Sequence, residues 1–147
     1  MSTQENKELM RQIFEEWNVI KGDATKTLSL YDKYYSPHFI YHDVSGEDMN
    51  LKKAIQDSAS SISAFPDVNY NIDDLLAEGD KIVIRFTMQA THKGRFMGIP
   101  ATGKLIMVKG VEIDKIAGGK IEETWDFLDT WGMMVQLGII PSVDLKR

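Results

Sequence analysis

The chain has 147 residues, 43% of them hydrophobic and 27% charged, with aromatics spread from Phe14 to Trp131. That is one domain by length, able to bury roughly two thirds of its unfolded surface, and its composition lies far from that of disordered chains. A formal net charge of −5 with scattered basic residues argues against nucleic acid as a partner, and the absence of cysteine excludes disulfides, zinc-thiolate sites and a thiol nucleophile.

The N-terminus carries acids and no apolar leader core, and no stretch approaches the roughly 18 apolar residues of a membrane span. The chain reads as a cytoplasmic protein with no membrane partner. Ser2 followed by Glu5 is a capping box, and Met10, Ile13, Phe14, Trp17 and Ile20 recur at helical spacing to a stop at Gly22. Asp23 caps a second helix through Leu28, Leu30, Tyr31 and Tyr34, which ends before Pro37 because the residue preceding proline avoids the helical region. Phe39 to His42 is a short β-prone run. Gly46 then turns the chain into a third helix with the stripe Leu51, Ile55, Ser58, Ile62 and Phe65.

After Pro66-Asp67 the apolar period becomes two. Val68, Tyr70 and Ile72 alternate with polar residues, and Glu78-Gly79-Asp80 makes a hairpin turn. The next strand sets Ile82, Ile84, Phe86 and Met88 on one face and Val83, Arg85, Thr87 and Gln89 on the other. A long loop from His92 to Gly103 precedes strands at Leu105 to Ile116 and Ile121 to Leu128, joined at Ala117-Gly118-Gly119-Lys120. An apolar tail with Trp131, Met133, Met134, Val135 and Leu137 closes the chain. Helices followed by antiparallel strands predict a single α+β domain over 1–147, with helices covering one concave face of a bent sheet.

Two clusters of ionisable residues stand among aromatic and aliphatic neighbours: Tyr41-His42-Asp43, and Glu123-Thr124-Trp125-Asp126 with Asp129. Asp126 alternates with Trp125 on the last strand; it is either a solvent-facing carboxylate or, if buried, an acid–base group with a raised pKa. His42 suits proton transfer, a hydrogen bond to a substrate carbonyl, or a place in the core or rim. Arg85 needs a counter-charge if buried, with Asp126, Glu112 and Glu123 as possible partners, or it binds a substrate anion. His92 opens the glycine-rich loop, where it either fixes the loop's shape or meets substrate. Asp129 suits a cap on Thr130-Trp131-Gly132. The three histidines show no metal-ligand spacing, and no nucleotide-binding fingerprint is present, so no metal or cofactor is expected.

The segments Phe65-Pro66-Asp67, Ala77-Glu78-Gly79-Asp80 with Arg85, and Thr91-His92-Lys93-Gly94 with Phe96-Met97-Gly98-Ile99-Pro100-Ala101-Thr102-Gly103 resemble the SnoaL-like polyketide cyclase family. So do Gly119-Lys120-Ile121-Glu122-Glu123, Trp125-Asp126, Asp129 and the ending Gln136-Leu137-Gly138. The resemblance implies the nuclear transport factor two-like fold: a cone of three helices on a strongly curved mixed sheet enclosing a pocket, in a homodimer or larger homo-oligomer. It also implies that Asp126 holds the acid–base position, and that Glu112 stands where characterised cyclases carry a histidine facing the same pocket.

What the resemblance implies for function is cofactor-independent proton transfer, of the intramolecular aldol type, on a small apolar carbonyl-bearing molecule. On this reading Asp126 is the reacting carboxyl, His42 and Arg85 orient or polarise the substrate, and Trp17, Tyr41 and Trp125 shape the pocket. Two alternatives stand beside it. One is an epoxide hydrolase or isomerase, in which Asp126, Arg85 and an amide of Asn69 or Asn71 hold a water. The other is a non-catalytic small-ligand-binding domain.

Overall fold

The computed structural model describes residues 1–142; the last five positions of the domain expected over 1–147 lie outside the described residues. Helix α1 spans Thr3–Asn18, α2 Ala24–Tyr34 and α3 Leu51–Ala64, with strands β1 (Tyr35–Asp43) and β2 (Asp48–Asn50) between α2 and α3. Strands β3 (Asn69–Glu78), β4 (Lys81–Thr91), β5 (Leu105–Ala117) and β6 (Lys120–Leu128) follow, and α4 (Thr130–Gln136) ends the fold. The six strands form one sheet in the order β2-β1-β6-β5-β4-β3, antiparallel except for the parallel pair β1 and β6.

Local chemistry sets the element ends. Ser2 and Glu5 exchange backbone and side-chain hydrogen bonds at 3.1 and 3.2 Å, so two otherwise orphaned N–H groups of α1 are satisfied. Asp23 Oδ1 accepts from the N–H groups of Thr25 and Lys26 at the start of α2. The chain leaves α2 at Tyr35, two residues before Pro37, and runs straight into β1. Asp129 caps α4 by accepting from the Gly132 N–H at 2.9 Å. The tail therefore differs from its sequence reading: it is a short helix that buries Met133 and Leu137 and leaves Trp131 exposed. The three-residue β2 was too short to show a period.

Register shifts at Ile72/Asp74 in β3, Lys115/Ile116 between β5 and β6, and Tyr35/Ile40 in β1 bend the sheet, because an unpaired residue raises local twist. The helices lie in its concavity. Met10, Ile13 and Phe14 of α1 and Ala54 and Ile62 of α3 meet the inner strand positions Ile82, Ile84, Phe86, Ile106 and Val108 in one core. Edge strand β3 is tied to α1 by Asn18, which accepts from the Tyr70 N–H at 2.7 Å and donates to its carbonyl at 2.8 Å.

The loop from His92 to Gly103 is pinned at both ends. The buried His92 Nδ1 bonds to Thr102 Oγ1 at 3.0 Å, and the His92 carbonyl accepts from Gly103. Lys93 and Gly94 both donate to the Ala64 carbonyl at the end of α3, and a Cβ on Gly94 would lie 2.4 Å from the Ser63 carbonyl oxygen. Only glycine lets the loop approach the helix so closely. Gly94→Ala is expected to destabilise the fold by about 2 kcal/mol or more, a drop of several degrees in Tm by calorimetry; an unchanged Tm would contradict this contact.

Candidate active site

The cone encloses a cavity of about 290 Å³, at the small end of the range for small-molecule sites. Its walls come from all three long helices and the inner face of the sheet, and ten of its 25 lining side chains are aromatic. Among the described residues, every charged side chain that lines it is an acid: Asp57, Glu112 and Asp126.

Pairing places the acids. Glu112 of β5 stands directly opposite Asp126 of β6, and Asp114 directly opposite Thr124, so all four share the inner face. Tyr41 of β1 pairs with Thr124 in the parallel register and reaches diagonally to donate its hydroxyl to Asp126 Oδ2 at 2.8 Å. The Thr124 hydroxyl donates to Asp114 Oδ1. Asp126 Oδ1 and Asp114 Oδ2 are shut away from water with no partner among the side chains as placed.

Burial dominates the titration of the cluster, because removing water from around a carboxylate disfavours its charge. Glu112 is pushed well above the ordinary glutamate range by burial and then by the neighbouring charges of Asp114 and Asp126. Such surface as it keeps opens onto the cavity rather than bulk solvent. Asp114 rises to about 6, again through burial, against which hydrogen bonds from Glu112 and Thr124 work. Asp126 is raised by burial and partly restrained by the Tyr41 hydroxyl. Flanked by two like charges as well as buried, Glu112 is the member whose protonated form is most favoured. Tyr41 is itself raised, by burial first and by the adjacent Asp126 second, so it remains a phenol.

Of the residues singled out in the sequence, Asp126, Glu112, Tyr41 and Trp17 line the cavity. His42, Trp125, Arg85 and His92 do not, and each has a physical reason. Successive strand residues point to opposite faces, so His42 beside Tyr41, and Trp125 beside Asp126, lie on the outer face of the sheet. There the two rings stack at 4.9 Å and 13°. His42 bonds to Asp48 Oδ1 at 2.9 Å and Glu123 Oε2 at 2.8 Å. Arg85 also faces outward and pairs with Asp74 at 2.7 Å and Asp73 at 3.9 Å rather than with Asp126, Glu112 or Glu123. Asn69 and Asn71 are exposed, so the water-holding cluster of Asp126, Arg85 and an amide is not assembled. His92 spends its Nδ1 on the loop.

Sequence reasoning missed Asp114, the cavity tyrosines Tyr35 and Tyr70, and the hydroxyls Ser58 and Ser61 of α3. Asp114 had a signal, since it lies two residues from Glu112 on an inner face otherwise made of Ile106, Val108, Gly110 and Ile116. The helix positions 54, 58, 61, 62 and 65 form one stripe, in which two serines break the apolar run.

No helix among the described residues is long and apolar enough to cross a membrane, and no group of three or more His, Asp or Glu among them could hold a metal ion.

The outer His42 latch titrates. Its two carboxylates raise the imidazole above its usual 6.5, hydrogen bonding to Glu123 being the largest cause, while water at the ring edge screens the pair. A raised folded-state value adds stability that is complete below 6.5, as long as the partners stay ionised, and that fades as pH rises through the folded value. The stability deficit of His42→Gln is therefore expected to be larger at pH 6 than at pH 9, by about a few tenths of a kcal/mol in denaturant unfolding. An equal deficit at both would show that the ring acts through stacking on Trp125 alone.

The description of the SnoaL-like polyketide cyclase family matches residues 8–137. Among solved structures, the fold superimposes on AclR, a hydroxylase candidate from Streptomyces galilaeus, with TM-score 0.86 and 29% identity over 98% of this chain and 87% of that one. A polyketide cyclase candidate from Acidithiobacillus ferrooxidans is 28% identical, with TM-score 0.72 over 89% and 92% of the two chains. A SnoaL-like polyketide cyclase candidate from Jannaschia shares the fold at TM-score 0.82 and 22% identity, over 95% of each chain. No protein with a curated description matches. With its helical cone, mixed sheet and family match across most of its length, this chain belongs to the SnoaL-like polyketide cyclase family.

Proposed function

We propose that this protein is an acid–base enzyme that cyclises, or otherwise moves a proton within, a small apolar carbonyl compound. The observation that carries the proposal is the directly opposed pair Asp126 and Glu112 on the wall of an enclosed aromatic cavity. Two carboxyls that close in a dry site separate their roles: one ionises and the other keeps its proton.

Asp126 is the base. Its Oδ2 is held by the Tyr41 hydroxyl, and its Oδ1, covered and without a partner, takes the proton once the carboxylate turns it toward the substrate. Glu112 is the acid, occupying the place of the histidine expected from the family resemblance. In the reaction, Asp126 removes a proton α to a carbonyl while Glu112 passes its proton to the carbonyl oxygen, giving an enol. The enol carbon attacks a second carbonyl of the same molecule, the enol O–H returns its proton to Glu112, and Asp126 returns its own to the new alkoxide. All four transfers balance within the pair, so the cycle calls for no cofactor. The aromatic walls, with Trp17 and Tyr41 among them, exclude water from the enol.

About 290 Å³ is left open beside Asp126, which a small-ligand-binding domain would share; the opposed acids in the wall favour the catalytic reading over it. The reading carries with it a cytoplasmic homo-oligomer, whose second half is supported by the exposed Met107 and Phe127 on the outer sheet face.

The simplest test is α-proton exchange of 2-tetralone in deuterated buffer, followed by proton NMR. Exchange above the buffer rate is expected with wild type, falling by roughly 10²–10⁴ in Asp126→Asn while binding of the ketone stays within about threefold. Exchange as fast in Asp126→Asn as in wild type would remove Asp126 from the mechanism, and exchange at the buffer rate with both would sink the enzymatic reading.

A further inference from the structure

The cavity has walls of one electrical kind. Glu112 and Asp126 line it, Asp57 stands at its rim, and Asp114 lies buried behind Glu112. Among the described residues no lysine, arginine or histidine lines it. Among the described residues the ion pairs lie elsewhere: Arg85 with Asp73 and Asp74, Lys33 with Glu16, Lys115 with Glu122, Arg11 with Glu8, and His42 with Asp48 and Glu123. The inner carboxyls thus have no protein cation to offset them, and a buried carboxylate without one is costly. Asp126 Oδ1, in particular, is closed from water and has no hydrogen-bond partner.

Ten of the other lining side chains are aromatic, set among aliphatic, methionine and hydroxyl-bearing ones. Trp17 meets Tyr31 edge-on at 5.6 Å, Tyr31 packs on Tyr35 at 4.5 Å, and Phe14, Tyr70 and Phe86 pack mutually at 5.7 to 6.2 Å. Aromatic faces carry negative potential and attract cations, most strongly where water is excluded. Both kinds of wall therefore favour positive charge and repel anions.

We infer that the cavity's ligand is an aromatic or polycyclic molecule bearing a basic nitrogen, held as its ammonium beside Asp126 and Glu112, and that molecules with a free carboxylate are excluded. The inference rests on the proposed site and names its substrate class. A carboxylate would meet the Asp126 carboxylate with no cation among the described residues to receive it, whereas an ammonium restores the missing counter-charge. The same ammonium, placed near the reacting carbonyl, would acidify the adjacent C–H that Asp126 removes. Ser58 and Ser61 on the α3 wall give a hydroxyl-bearing ligand further partners, Ser58 being already engaged with the Tyr31 hydroxyl.

The test needs binding alone and so stands whether or not turnover is found. Three probes of nearly one shape are compared by calorimetry at pH 8: benzyltrimethylammonium, its uncharged isostere neopentylbenzene, and phenylacetate. Trp17 emission reports entry into the cavity. The cation is expected to bind at least about tenfold more tightly than the isostere, and phenylacetate more weakly than either. Asp126→Asn and, separately, Asp126→Ser should each reduce the cation's advantage severalfold, while the exposed Glu47→Gln should leave it unchanged; two variants of Asp126 keep the test valid if one fails to fold. The inference is overturned if the isostere binds as tightly as the cation, if both cavity variants keep the full preference, or if Glu47→Gln lowers it as much as they do.

Discussion

Carboxyls that face each other across an antiparallel strand pair, inside an aromatic cavity with no cation on its walls, cannot all stay ionised. That constraint organises the rest of the molecule. Register brings Glu112 opposite Asp126 and Asp114 opposite Thr124, and the bent sheet turns that face inward under three helices. Each carboxyl is then assigned by its neighbours. Asp114 accepts from Thr124, Asp126 accepts from Tyr41, and burial between two like charges favours the protonated form of Glu112. Stability is spent to keep this arrangement, since carboxyls whose folded-state values are raised weaken the fold as pH climbs past their unfolded values.

The surrounding structure isolates the cluster. Cations and their acid partners are kept on the outer surface, where Arg85 and His42 form screened pairs. The pinned loop closes against the end of α3, and Phe96 on that loop meets Phe65 at 5.1 Å on the cavity wall. Family membership and the AclR likeness supply the frame, but the acid pair is a property of this chain's own β5 and β6.

Much of this was legible in the sequence. The two-residue period gave the inner face of β4, the capping box and Asp23 gave the starts of α1 and α2, and Asp129 was read as a cap. The helix with Ser58 and Ser61 was read as a helix but not as a wall, because small polar residues on an apolar stripe carry no signal of their own. The failures share a cause. Tyr41-His42 and Trp125-Asp126 look like clusters along the chain, yet the pleat sends neighbours to opposite faces, so each cluster contributes one residue to the cavity and one to the outer surface. Arg85 was lost to the cavity for the same reason, as its neighbour Phe86 points in. The turn at Gly118-Gly119 announces β5 and β6 as a hairpin, but the bulge between Lys115 and Ile116 that shifts their register by one residue has no local signal, and it is what sets Glu112 opposite Asp126.

The protonation of Glu112 is the claim on which the account turns, and infrared difference spectroscopy between wild type and Glu112→Gln reads it directly. At pH 7 the wild type is predicted to show the carbonyl stretch of a protonated carboxylic acid that the variant lacks. A spectrum in which the variant loses only carboxylate bands would mean that Glu112 is ionised beside Asp126, and would contradict the division of acid and base.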